Sequence, residues 1–78
     1  MTSSITLHLF GRFDVAAFRA FAESRARLLR IDMTTERMEG HEIVFLLRGA
    51  HALVSMFVMA CVIGPASCVV SRWQESVV

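Results

Sequence analysis

The chain has no lysine, no tyrosine and no asparagine. All eight of its basic residues are arginines, set against seven acidic ones for a formal charge of +1. That near-balance excludes the basic surface with which a nucleic-acid-binding domain neutralises phosphates, so no nucleic-acid partner is expected. Two cysteines, Cys61 and Cys68, are too few for a multi-disulfide scaffold. The longest apolar stretch, Ala52 to Ile63, is twelve residues including Ser55. A membrane-spanning helix needs roughly 20, so the stretch is a core helix and no membrane partner is expected. No charged segment followed by an apolar run and a cleavage site opens the chain. The expectation is a cytoplasmic protein with free thiols.

Charge is scarce as well: 19% of the 78 residues, against 55% hydrophobic. That composition excludes disorder and describes one domain spanning residues 1–78, since no second core fits in so short a chain. A domain of this size buries only about 60% of the surface its unfolded chain exposes. Its stability margin is therefore small unless it also buries surface against a partner.

Ile5-Thr6-Leu7-His8-Leu9-Phe10 alternates with period two and ends at Gly11, which predicts a strand with Ile5, Leu7 and Leu9 buried. Asp14 offers an N-cap oxygen to a helix over Ala16–Leu29, where Phe18, Phe21, Ala22 and Leu29 stand at helical spacing. Ile31–Arg37 and Glu42–Arg48, separated by Gly40, predict a hairpin. From His51 to Ile63 the positions Leu53, Met56, Phe57, Ala60 and Cys61 form one helical face, and Gly64-Pro65 stops the helix. Cys68–Trp73 is the last extended run. The order βαββαβ, with right-handed crossovers, predicts a ferredoxin-like α+β sandwich: a four-stranded antiparallel sheet with two helices on one face.

The first loop, Phe10-Gly11-Arg12-Phe13-Asp14-Val15-Ala16-Ala17-Phe18-Arg19, joins a strand end to a helix N-terminus. Such a junction presents unpaired backbone N–H groups and the positive end of the helix dipole, which suits a phosphate or carboxylate. Arg12 and Arg19 add two forked donors.

This loop resembles the acylphosphatase signature G-[RK]-V-Q-G-V-x-[FY]-R. Gly11, Arg12, Phe18 and Arg19 match it in type and in spacing. The similarity runs on through Glu23, Ala26, Ile43 and Leu47 to Gly49, and Gly64-Pro65-Ala66-Ser67-Cys68-Val69-Val70 resembles the family's approach to its fourth strand. The resemblance implies that residues Gly11, Arg12, Phe13, Asp14, Val15, Ala16, Ala17, Phe18 and Arg19 form an anion-binding loop, with Arg19 holding the phosphoryl group of a carboxylate–phosphate anhydride. The family's water-orienting Asn has no counterpart. Ungapped spacing puts Arg37 there, and a one-residue shift puts Glu36 there.

The loop departs from the signature too, because the family's Gln-Gly is Asp14-Val15 here. A β-branched Val resists the backbone freedom of glycine. Asp14 sets a carboxylate beside an anion site, a repulsion of about a few kcal/mol in a surface cleft. The expectation is an acylphosphatase-like domain with little or no hydrolase activity, retained as a binding or assembly module. Two alternatives stand beside it: an active acylphosphatase in which a backbone group or Thr34 positions water, and an ACT-like small-ligand regulatory domain, which shares the βαββαβ order.

His8, His41 and His51 lie on strand, turn and helix start without zinc spacing, so neither metal nor cofactor is expected. The second helix carries one further expectation. Val54, Val58, Met59 and Val62 project away from its core face with no charge among them, which predicts a homodimer or protein partner through these four residues.

Overall fold

The computed structural model describes residues 2–78. The alternation at the start of the chain builds the middle of a sheet: β1 (Thr2–Arg12) lies between β3 (Glu42–Ala50) and β4 (Val69–Val77), and β2 (Asp32–Met38) completes the order β2-β3-β1-β4. Every neighbouring pair is antiparallel. Helices α1 (Val15–Leu28) and α2 (His51–Ile63) connect the strands in the sequence βαββαβ. This is the ferredoxin-like sandwich that the sequence predicts.

Register puts Ile5, Leu7 and Leu9 opposite Leu47, Phe45 and Ile43, so both central strands turn the same set of side chains inward. All six are buried. Phe18, Ala22 and Ala26 of α1, with Val54, Phe57, Val58 and Cys61 of α2, close over them. The Phe45 ring stands between Phe18 at 6.3 Å and Phe57 at 6.2 Å, the spacing at which aromatic pairs add to simple burial. The other side of the sheet is uncovered, and there the Arg72 guanidinium lies 4.5 Å over the Phe10 ring.

The structure corrects the face assigned to α2. Val54 and Val58 are 3% exposed and belong to the core, and Val62 is half-buried against it. Of the four residues expected at an interface only Met59 is exposed, and Met56, expected in the core, lies outside at 56%. The helix is turned by nearly one residue from the face its sequence suggests. The reason is that α2 is apolar on every side, so no polar stripe marks which side meets water. The last strand is also longer than the run Cys68–Trp73, continuing to Val77 because β1 supplies ladder partners as far as Ile5.

Cys61 and Cys68 are free and buried. Burial pushes the Cys61 thiol from 9.0 up to about 12. The neutral thiol is therefore favoured by folding: its stabilisation is complete below pH 9 and is lost as pH rises through 9 toward about 12. With no lysine or tyrosine titrating in that window, the urea midpoint should fall steadily above pH 9, by about 1.4 kcal/mol of stability per pH unit. In Cys61→Ala that slope should flatten, although the baseline stability is lower. A wild-type midpoint unchanged to pH 11 would contradict the buried thiol.

Candidate functional site

The first loop sits where β1 ends, beside the turn between β2 and β3. Two main-chain bonds tie them: the Gly11 amide donates to the His41 carbonyl at 3.2 Å, and the Phe13 amide to the Gly40 carbonyl at 2.8 Å. Phe13 itself is buried, its ring 5.3 Å from Phe18. The loop is thus anchored by an aromatic plug and by its neighbour turn.

Asp14 caps α1 as its sequence position predicts, its Oδ1 accepting from the Ala17 amide at 3.2 Å. Its own amide donates to the Cys68 sulfur at 3.3 Å, and its carbonyl accepts the Phe18 amide at 2.9 Å. Val15 and Ala16 open the helix, and their amides have no intrahelical acceptor. Between Gly11 and Phe18, the amides of Gly11, Phe13, Asp14, Ala17 and Phe18 are therefore already committed to the protein. The outward amides reduce to the first helical turn.

Residue 15 takes no left-handed conformation; Arg30 is the one non-glycine residue with positive φ among those described. A Val at this position is compatible with the loop because the chain enters the helix there instead of arching around a ligand. Arg12 and Arg19 are both exposed. Alternation along β1 directs Arg12 to the uncovered side of the sheet, whereas Arg19 projects from α1 on the covered side. Among the described residues neither arginine forms an ion pair.

On β2 the structure distinguishes the two residues aligned with the missing Asn. Arg37 pairs with Val44 in the ladder, and Glu36 is the extra residue of a bulge between Thr35 and Arg37. Arg37 is drawn to acids on its own hairpin: its Nη1 donates to Glu42 Oε1 at 3.1 Å, and its Nε lies 3.6 Å from Glu39 Oε2. His41 Nε2 is 3.5 Å from Glu39 Oε1. The hairpin beside the loop thus carries Glu39 and Glu42, both engaged by Arg37.

Two contacts were beyond the sequence, one in the site and one away from it. Cys68, 54 residues from Asp14, takes a loop amide, and no local pattern reveals such a contact. At the far end of β1, Ser3 Oγ lies 3.0 Å from His51 Nδ1 at the start of α2, a pair that no motif places together. Among the described residues no group of three His, Cys, Asp or Glu side chains gathers to hold a metal ion, and no helix is long and apolar enough to cross a membrane.

No protein-family model matches the chain, and no curated protein matches it by sequence. Solved structures do. An acylphosphatase from Coxiella burnetii superposes with a TM-score of 0.87 at 14% identity, over 99% of this chain and 81% of that one. An acylphosphatase from Bacillus subtilis superposes with a TM-score of 0.85 at 18% identity, over 97% of this chain and 83% of that one. The fold that the topology shows is thus that of the acylphosphatases. At these identities the likeness is one of fold.

Proposed function

We propose that this chain is an acylphosphatase-like binding module with a weak anion site at the N-terminus of α1 and little acyl-phosphate hydrolase activity. The observation that carries the reading is the commitment of the loop amides to His41, Gly40, Cys68 and Asp14. A phosphoryl cradle works by aiming several preorganised amides at the developing charge, and amides already bonded to protein acceptors do not serve it. Arg37, held by Glu39 and Glu42, supports the same reading, because the position lacks an amide group to orient water. What is left for a phosphate or carboxylate is the pair of amides at Val15 and Ala16, the helix dipole, and Arg19. Two unpaired buried thiols suit a reducing compartment, and we place the protein in the cytoplasm.

Benzoyl phosphate hydrolysis, assayed beside an intact acylphosphatase, is the test. Turnover should be slower by at least about 100-fold, the usual cost of a lost transition-state donor. A rate equal to the control would establish the active-enzyme alternative, and Arg19→Ala would then have to abolish it. Amide shift mapping with inorganic phosphate checks the anion site itself. The shifts should centre on Val15 and Ala16, with millimolar affinity or weaker, about −4 kcal/mol or less in magnitude. Asp14→Asn keeps a good helix cap while removing a like charge, so it should tighten the binding. Unchanged or weaker binding in that variant would confine Asp14 to its capping role.

A further inference from the structure

We propose that the outer face of α2 pairs with the same face of a second copy of this chain, in an antiparallel two-fold homodimer. This inference is independent of the anion-site reading. It begins from the corrected orientation of the helix. With Val54, Phe57, Val58 and Cys61 turned inward, the residues on the opposite side are Ala52, Ser55, Met56, Met59 and Ile63, all exposed. Met56, Met59 and Ile63 are 56%, 55% and 77% exposed, and they rank among the largest apolar side chains left in water.

Their spacing identifies the kind of surface that fits them. Ala52, Met56, Met59 and Ile63 are separated by four, three and four residues, the a/d rhythm of a seam that receives the seam of another helix. A seam this narrow is too slender for a sheet face and suits a single crossing helix. Charge narrows the choice further. From Ala52 to Ile63 the helix has no charged residue, so nothing on it compensates a charged partner face. The outward side of α1 carries Arg19, Glu23 and Arg27, all exposed, and is therefore a poor match. Among the helices of the described residues, α2 itself is the one with that rhythm and that lack of charge.

Antiparallel packing about a two-fold axis gives a size-matched register. Ala52 then meets Ile63 of the second copy, small against large, and Met56 meets Met59. The antiparallel arrangement also opposes the two helix dipoles favourably. Methionine suits such a contact because its flexible thioether fills gaps without demanding one fixed shape. The extent of the contact sets its strength. A 13-residue helix is about 20 Å long, so a contact made by this seam alone falls at the low end of specific interfaces, near the limit of about 1,000 Å². The dimer is thus a weak one, with a Kd in the micromolar range.

Sedimentation velocity on the full chain, from about 5 μM to 1 mM to bracket that Kd, should show a monomer giving way to a dimer. Replacing both Met56→Glu and Met59→Glu should leave a folded monomer across the range, a loss of at least about tenfold in affinity, since both positions are exposed. A wild-type protein that stays monomeric throughout overturns the proposal, as does a double variant that dimerises like wild type. A second measurement reads the register. Because Cys61 and Cys68 are buried, a mixture of Met56→Cys and Met59→Cys proteins should form a disulfide-linked heterodimer faster than either protein alone cross-links to itself. Equal rates in the mixture and in the separate proteins would overturn the antiparallel pairing.

Discussion

Val58→Glu is expected to unfold the domain, while Met59→Glu, one residue away, leaves it folded. Val58 is 3% exposed and sits in the cluster with Phe18, Phe45 and Phe57, where among the described residues no polar side chain is buried to receive a carboxylate. Burying that group costs several kcal/mol whether it ionises or takes up a proton, in addition to the packing lost with valine. A chain of 78 residues has about 4–12 kcal/mol of stability in total. The penalty is therefore of the same size as the whole margin. Met59 is 55% exposed and carries no such cost. Far-UV circular dichroism and amide dispersion of the two variants decide the matter. A Val58→Glu protein with wild-type dispersion would mean that this valine faces water and that α2 is oriented as its sequence alone suggests.

That contrast shows where the sequence is informative and where it is silent. The bounds of α2 are legible because Gly64-Pro65 ends the helix and Gly49 precedes it; its predicted span, His51–Ile63, is the observed one. Its orientation is not legible, since amphipathicity needs polar residues to mark the wet side and this helix has none to spare. The first helix is the opposite case. Arg19, Glu23 and Arg27 mark its wet side, and of the predicted face Phe18 and Ala22 are buried while Phe21 and Leu29 are half-buried, with Ala26 completing the buried set. Likewise the alternation in β1 gives its buried face directly, whereas Gln74-Glu75-Ser76 conceals the end of β4, an edge strand exposed along its last residues.

The candidate site divides along the same line. Asp14 as helix cap is a local relation, three residues long, and is visible in the sequence. The partners of the Gly11, Phe13 and Asp14 amides come from residues 40, 41 and 68, brought there by the fold. Sequence motifs record residue types and spacing. They do not record whether an amide is already bonded, and for an anion site that is the deciding quantity.

Gly11→Ala is expected to lower the melting temperature by about 12–24 °C, a loss near 3 kcal/mol at the 4–8 °C per kcal/mol typical of domains this small. The ladder between β1 and β4 shifts register between Phe10 and Gly11, and Ser71 is passed over there. The two strands are pressed together at this bulge. A Cβ at residue 11 would overlap the Val69 carbonyl oxygen and lie 3.0 Å from the Ser71 amide nitrogen. Both obstacles are main chain in an adjacent strand, so β4 itself must move to relieve them. Gly40→Ala is the control. Its new Cβ would meet only the Phe13 carbonyl at 3.9 Å, an ordinary contact, and the change should stay within about 0.5 kcal/mol. Thermal melts of both variants, followed by circular dichroism, separate the two positions. A Gly11→Ala protein as stable as wild type would free this glycine from the strand contact and leave the anion as the reason for its place in the loop. With the expected loss, Gly11 and the fully buried Phe18 both serve the architecture. Half of the four-residue match to the acylphosphatase signature then follows from the fold, and Arg12 and Arg19 are the part of it on which an argument for phosphate chemistry can rest.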